Sequence, residues 1–179
     1  EQGYDVIGVT MQIWQEEESG CCGLSAIEDA RRVAHDLDIP YYVMNFRKEL
    51  KEQVVEYFID EYLHGRTPNP CIACNRYVKW ESLLKRSRDI GADYIATGHY
   101  AQVEHKDGYV YLKKAVDSNK DQTYFLNQLS QDQLKDVMFP IGNLTKPELR
   151  KIAQENDLAT AEKKDSTGIC FIGERNFKQ

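Results

Sequence analysis

No stretch of this sequence stays apolar for the roughly 20 residues that a bilayer-crossing helix needs, which excludes a helical membrane span. Positive charge is not in excess: 23 Lys and Arg stand against 29 Asp and Glu, a net charge of -6. That balance excludes nucleic-acid binding by bulk charge, so any such contact must use a local patch or other parts. The cysteines number five, an odd count. An odd set in a chain this long argues against a disulfide framework and for thiols in a reducing compartment, hence a cytoplasmic protein. The start, Glu1-Gln2-Gly3-Tyr4-Asp5, has neither signal-peptide character nor a leading Met, and we expect the chain to begin inside a longer protein. Internal repeats and low-complexity tracts are absent as well.

What is present is ordinary for a globular protein: 41% hydrophobic and 29% charged residues in a chain of 179. That length holds one sizeable domain with a core of its own and a small appendage. Asp5 to Trp14 reads as a strand whose near-continuous apolarity suggests burial in a parallel sheet. Ser25 with Glu28 forms a capping box, and Ile27, Ala30, Val33, Ala34 and Leu37 share a helical face. Tyr41 to Phe46 is a second strand. Leu50, Val54, Phe58 and Tyr62 mark a long helix that Gly65 stops.

Thr67-Pro68-Asn69-Pro70-Cys71-Ile72-Ala73-Cys74-Asn75 carries two prolines and two asparagines, and reads as a shaped loop. A helix from about Tyr77 to Ile90 follows, then a short strand, Tyr94 to Thr97. The alternation predicts βαβ units and an α/β fold with a doubly wound, mainly parallel sheet. A β-hairpin turning at Asp107-Gly108 comes next, then a polar loop, Asp117 to Gln122, and helical segments capped by Ser130/Gln133 and Thr145/Glu148. They form a small hairpin and helical extension. Residues 1–165 make the main domain, and 166–179 a separate segment around Cys170, read as a short strand.

Several residues could carry chemistry. In a doubly wound sheet, ligands sit outside the carboxyl ends of the strands, where Met11 to Trp14, Asn45-Phe46 and Gly98-His99 fall. Gly98 either lets a flat base or sugar approach the backbone or merely turns the chain. His99 is an acid–base group, a contact to phosphate or base, or a capping or surface residue. Cys71 and Cys74 form half a zinc site, part of an iron–sulfur cluster with Cys170, a redox or nucleophilic thiol pair, or simply two unrelated thiols in a loop. Cys21 and Cys22, in an acidic loop, are the other candidate zinc ligands, but adjacent cysteines fit that spacing poorly. Cys170 is either a buried structural thiol or, given Asp165-Ser166-Thr167-Gly168 before it, a residue at the rim of a site.

Four segments together resemble the tRNA-specific 2-thiouridylases. They are Gly65 to Pro70 with Cys74-Asn75; Ala96-Thr97-Gly98-His99-Tyr100-Ala101; Asp117 to Gln122 with Tyr124-Phe125-Leu126; and Ser166 to Gly173. The resemblance implies an adenine-nucleotide α-hydrolase-like, PP-loop-type nucleotide-binding catalytic domain over 1–165. It implies ATP, used with Mg2+, bound through Met11 and Gly98. It places Asn69, Pro70 and Cys71 against the target base and His99, Lys120, Asp121 and Gln122 on the tRNA. Cys170 would carry persulfide sulfur from a relay or cysteine-desulfurase donor, and Cys74 would be the second thiol, ending in a Cys74–Cys170 disulfide. No resident metal and no membrane partner are implied.

The sequence also departs from that family. No Ser-Gly-Gly-x-Asp-Ser phosphate cradle occurs, and the family's C-terminal β-barrel is expected to lie beyond 166–179. Cys71 stands where many members have Asp. Two competing readings stay open on sequence grounds: a thiolase using an iron–sulfur cluster on Cys71, Cys74 and Cys170, and a zinc-stabilised binding module.

Overall fold

The β-branched run after Asp5 forms a strand, β1, but only over Gly8–Gln12. This computed structural model describes residues 3–13, 24–163, 165 and 168–172, so Trp14 lies outside it. β1 pairs in parallel with β2 (Tyr41–Asn45), in the register Gly8↔Tyr41 through Gln12↔Asn45. Parallel strands need a crossover, and α1 (Leu24–Asp36) supplies it. Ile27 and Ala34, two turns apart on α1, are buried. The Tyr41 hydroxyl lies 2.8 Å from Thr10 Oγ1 and 3.3 Å from the Ile27 carbonyl, tying both strands to the helix.

Two expectations for this region are corrected. α1 begins at Leu24, so Ser25 sits inside the first turn rather than capping it, and Glu28 pairs with Arg31 at 2.8 Å. β1 is half-buried along its whole length rather than fully enclosed, and Tyr42 and Val43 of β2 are exposed. The reason is that only two strands pair here among the described residues. These elements belong to one compact unit, Glu1–Lys51 with Ala153–Gln179. Within it, Lys163 Nζ donates to Asp29 Oδ2 at 2.6 Å, fastening the C-terminal segment to α1.

The other unit is Glu52–Ile152. The helix entering it runs as α2 (Arg47–Leu50), a wider π-type turn (Lys51–Val55) and α3 (Glu56–Leu63). Gly65, at φ +71°, is the left-handed stop that the sequence predicts. A second helical run consists of α4 (Pro70–Ala73), a π-type stretch (Cys74–Leu83) and α5 (Leu84–Asp89), ended by Gly91 at φ +84°. β3 (Ile95–Ala96) then pairs in parallel with β6 (Val137–Met138). Between them lies the expected hairpin, β4 (Ala101–Lys106) and β5 (Tyr109–Lys114). Asp107 and Gly108 have φ of +52° and +77°, the backbone that a two-residue hairpin turn requires.

The rest of the unit is a 3₁₀ turn (Thr123–Leu126), α6 (Gln131–Leu134) and α7 (Lys146–Glu155) as far as Ile152. Ser130 and Gln133 form the reciprocal capping box, and Glu148 Oε2 accepts from the Thr145 backbone N–H at 2.7 Å. Trp80, Leu126, Val54, Val78 and Val137 are the largest fully buried side chains of the unit. Gly142 is fixed by a close approach: a Cβ there would lie 1.7 Å from the Ala101 carbonyl oxygen. The α/β class with parallel strands stands. The described strands form three two-stranded sheets, two parallel and one antiparallel.

Candidate functional site

The loop expected over 67–75 holds only to Asn69: Pro68 lies outside any helix, whereas Pro70 starts one. Pro70 occupies the first helical position, where its missing N–H costs nothing and its φ is already helical. Asn69 is the N-cap: its Oδ1 accepts from Cys71 N at 3.0 Å and Ile72 N at 3.3 Å. Cys71 and Cys74 are therefore helical residues one turn apart, Cys71 exposed and Cys74 half-buried. Behind them Pro70 and Asn75 are buried, and Asn75 Oδ1 has no hydrogen-bond partner among the described residues.

Gly98 follows β3 at its carboxyl end. It is exposed, and a Cβ there would meet only Ile141 Cδ1, at 3.9 Å. Its φ lies outside the left-handed region, so the chain does not need glycine here to turn. What glycine provides is an open backbone. His99 beside it is neither a surface nor a capping residue but is 8% exposed, against the rings of Trp80 and Phe139 at 6.2 and 5.9 Å.

Lys79 Nζ lies 3.5 Å from His99 Nε2, and Thr97 Oγ1 lies 2.7 Å from Nδ1. An ammonium has only protons to offer, so Nε2 accepts and the ring proton sits on Nδ1, donated to Thr97. Burial, and then the Lys79 charge, push the His99 pKa down to about 3. The imidazole is neutral at pH 7, and the cation of this corner is Lys79.

Asp117 to Gln122 is knitted into the same unit. Asp117 Oδ2 accepts from Lys146 N at 3.0 Å, at the start of α7. Asp121 accepts from Ala115 N (2.9 Å) and from the Thr123 hydroxyl (2.6 Å). Gln122 uses its backbone N–H and its side-chain Oε1 to satisfy both backbone groups of Tyr100, at 2.8 and 3.0 Å. The segment is thus joined to the residue after His99. Lys120 is half-buried.

Met11 and Cys170 belong to the other unit. Met11 is half-buried in β1, opposite Met44. The Cys170 segment is a turn rather than the expected strand: Gly168 has φ +88°, and Ile172 N donates to Ile169 O at 3.0 Å. Cys170 is half-buried in that turn. Cys21, Cys22, Ser166, Thr167 and Gly173 lie outside the described residues. Among the described residues, no group of three or more His, Cys, Asp or Glu side chains could hold a metal ion.

Lys79 escaped the sequence reading, and so did the contact of Thr97 with the His99 ring. A single lysine on a helix reads as solvated surface, and nothing local signals an imidazole twenty residues on. A cleft of about 350 Å³ at the hairpin tip, lined in part by His105, Lys106, Tyr109 and Lys135, was equally unanticipated.

Comparison with known families matches residues 1–174 to the tRNA methyl transferase HUP domain. Among curated proteins, the chain is 60% identical to the tRNA-specific 2-thiouridylase MnmA of Lachnoclostridium phytofermentans, over 99% of this chain and 52% of that protein. The MnmA proteins of Clostridium perfringens and Listeria monocytogenes are 57% and 58% identical, over 98% and 100% of this chain. The chain spans about half the length of the curated relatives it matches.

Proposed function

The chain belongs to the tRNA methyl transferase HUP domain family, and on that premise we propose that it serves ATP-dependent sulfur transfer to the wobble uridine of tRNA. One observation carries the reading: about 57–60% identity, across nearly all of this chain, to proteins named 2-thiouridylase. Bound ATP, with Mg2+, supplies the AMP group that turns uracil O2 from a poor leaving group into a good one.

Met11 and Gly98 hold the adenosine end, and the open backbone at Gly98 supports that fit. Asn69, Pro70 and Cys71 face the target base, with Asn69 also capping the helix that carries both cysteines. His99, Lys120, Asp121 and Gln122 position the tRNA, Asp121 and Gln122 by bracing the loop that presents Lys120. Cys170 receives sulfur as a persulfide from a relay or desulfurase protein. The terminal sulfur attacks C2 of the activated uracil, and AMP departs with the C–O bonding pair. The Cys74 thiolate then attacks the Cys170 sulfur; the S–S bond breaks, its electron pair stays on the sulfur bound to C2, and a Cys74–Cys170 disulfide remains. A thiol reductant restores both cysteines.

The test is Cys170→Ser in the full-length enzyme. Thiolation is abolished while tRNA-stimulated pyrophosphate release persists, because Cys170 acts after activation. Equal loss of both steps would reduce Cys170 to a structural role. Peptide mapping after turnover without reductant should recover a Cys74–Cys170 bridge; recovery of Cys71–Cys74 alone refutes the pairing.

A further inference from the structure

We propose that Lys79, beside Gly98 and His99, is the cation of a phosphate-accepting site at the carboxyl end of β3. Lys79 is half-buried, and no carboxylate is paired with it among the described residues; its side-chain partner is His99 Nε2. An ammonium held partly out of water needs an anion or several acceptors, and a single neutral imidazole satisfies one of its three donors. His99 cannot serve as counter-ion. It is locked by Thr97 and by the Trp80 and Phe139 rings, which fixes the direction in which Lys79 is held.

The adjoining Gly98 is exposed, with room where its side chain would be, and parallel strands place ligands at this end. A neutral imidazole as anchor leaves the full lysine charge for an incoming anion, which a carboxylate anchor would cancel. The site therefore takes a phosphate group, borne by a nucleotide or by an RNA backbone. Only the choice between those two sources rests on the function proposed above.

Full-length wild type, Lys79→Met and Lys79→Arg are titrated with Mg-ATP and, separately, with tRNA at several salt concentrations, alongside thermal melting. Lys79→Met should weaken one ligand about tenfold, and Lys79→Arg should stay near wild type. A loss confined to ATP assigns the nucleotide phosphate. A loss confined to tRNA, with the salt slope reduced by about one, assigns an RNA phosphate. Folded Lys79→Met with both affinities unchanged overturns the site. If that variant does not fold, wild type is titrated with inorganic pyrophosphate while the His99 ring NMR signals are followed: saturable shifts support the site, and unmoved signals overturn it. Pyrophosphate binding at Lys79 in a protein that does not thiolate tRNA would sink the proposed function and leave the site standing.

Discussion

The helix start at Asn69–Cys74 and the strand exit at Thr97–His99 are built by opposite means. The first is local. Asn69 caps the backbone two and three residues ahead, Pro70 presets the first turn, and the cysteines are carried along. The second is assembled from far away: Lys79 and Trp80 arrive from one side in sequence and Phe139 from the other. A locally built site is robust to changes elsewhere but weakly tuned. A site assembled by burial can move a pKa by more than three units, and it is only as stable as the core around it.

The harshest way to break this contrast is Trp80→Ala. Trp80 is fully buried, and its loss should cost about 3–5 kcal/mol in denaturant unfolding. The His99 pKa should climb toward its ordinary value as water enters, while the cysteine alkylation rate at Cys71 stays within twofold. A slowed or accelerated Cys71 would show that the two regions are not independent.

Acid comes next. The unfolded chain protonates His99 near pH 6.5, and the native state holds it neutral down to about 3. Between those values the unfolded state binds more protons, so stability is fully present above about pH 6.5 and is lost as pH falls toward 3. The loss over that whole range amounts to on the order of 5 kcal/mol. Denaturation of wild type and His99→Gln at pH 7 and 4.5 isolates this contribution. Identical acid losses in the two proteins would mean that His99 is not held neutral.

Gln122→Ala is a milder probe of the assembled region. It takes the acceptor from the buried Tyr100 N–H and should cost about 1–3 kcal/mol. Amide exchange at Tyr100 should rise with it, and unchanged protection there would show that the Gln122 side chain is dispensable. The smallest effect belongs to the local region: Asn69→Ala removes a cap worth about 1 kcal/mol. Asn69→Asp should restore it, and failure to do so would argue that Asn69 serves something besides the helix.

The same division explains what could be read from the sequence. Gly65, the Asp107-Gly108 turn and the Ser130/Gln133 box were legible because each is a bargain between neighbours. The βαβ pattern gave the α/β class for the same reason. Pro70 was misread although its signal is also local: an Asn-Pro pair starts a helix as readily as it forbids one, and residue type alone does not say which side of a boundary it stands on. β6 was missed because Val137-Met138 is too short to show a period. The neutrality of His99, the idle charge of Lys79 and the bracing role of Asp121 and Gln122 were illegible. Each depends on partners that only the folded chain supplies.

The amide of Gln131 has a consequence beyond the hairpin it touches. Its Oε1 accepts from Val110 N at 2.9 Å and its Nε2 donates to Val110 O at 2.8 Å. One side chain thereby occupies the two outward-facing groups near the start of β5. An intruding strand from another molecule would find that rung of the ladder already taken, and would have to evict a bidentate partner before adding its first bonds. Near its turn, the hairpin carries its own guard against growing into an intermolecular sheet.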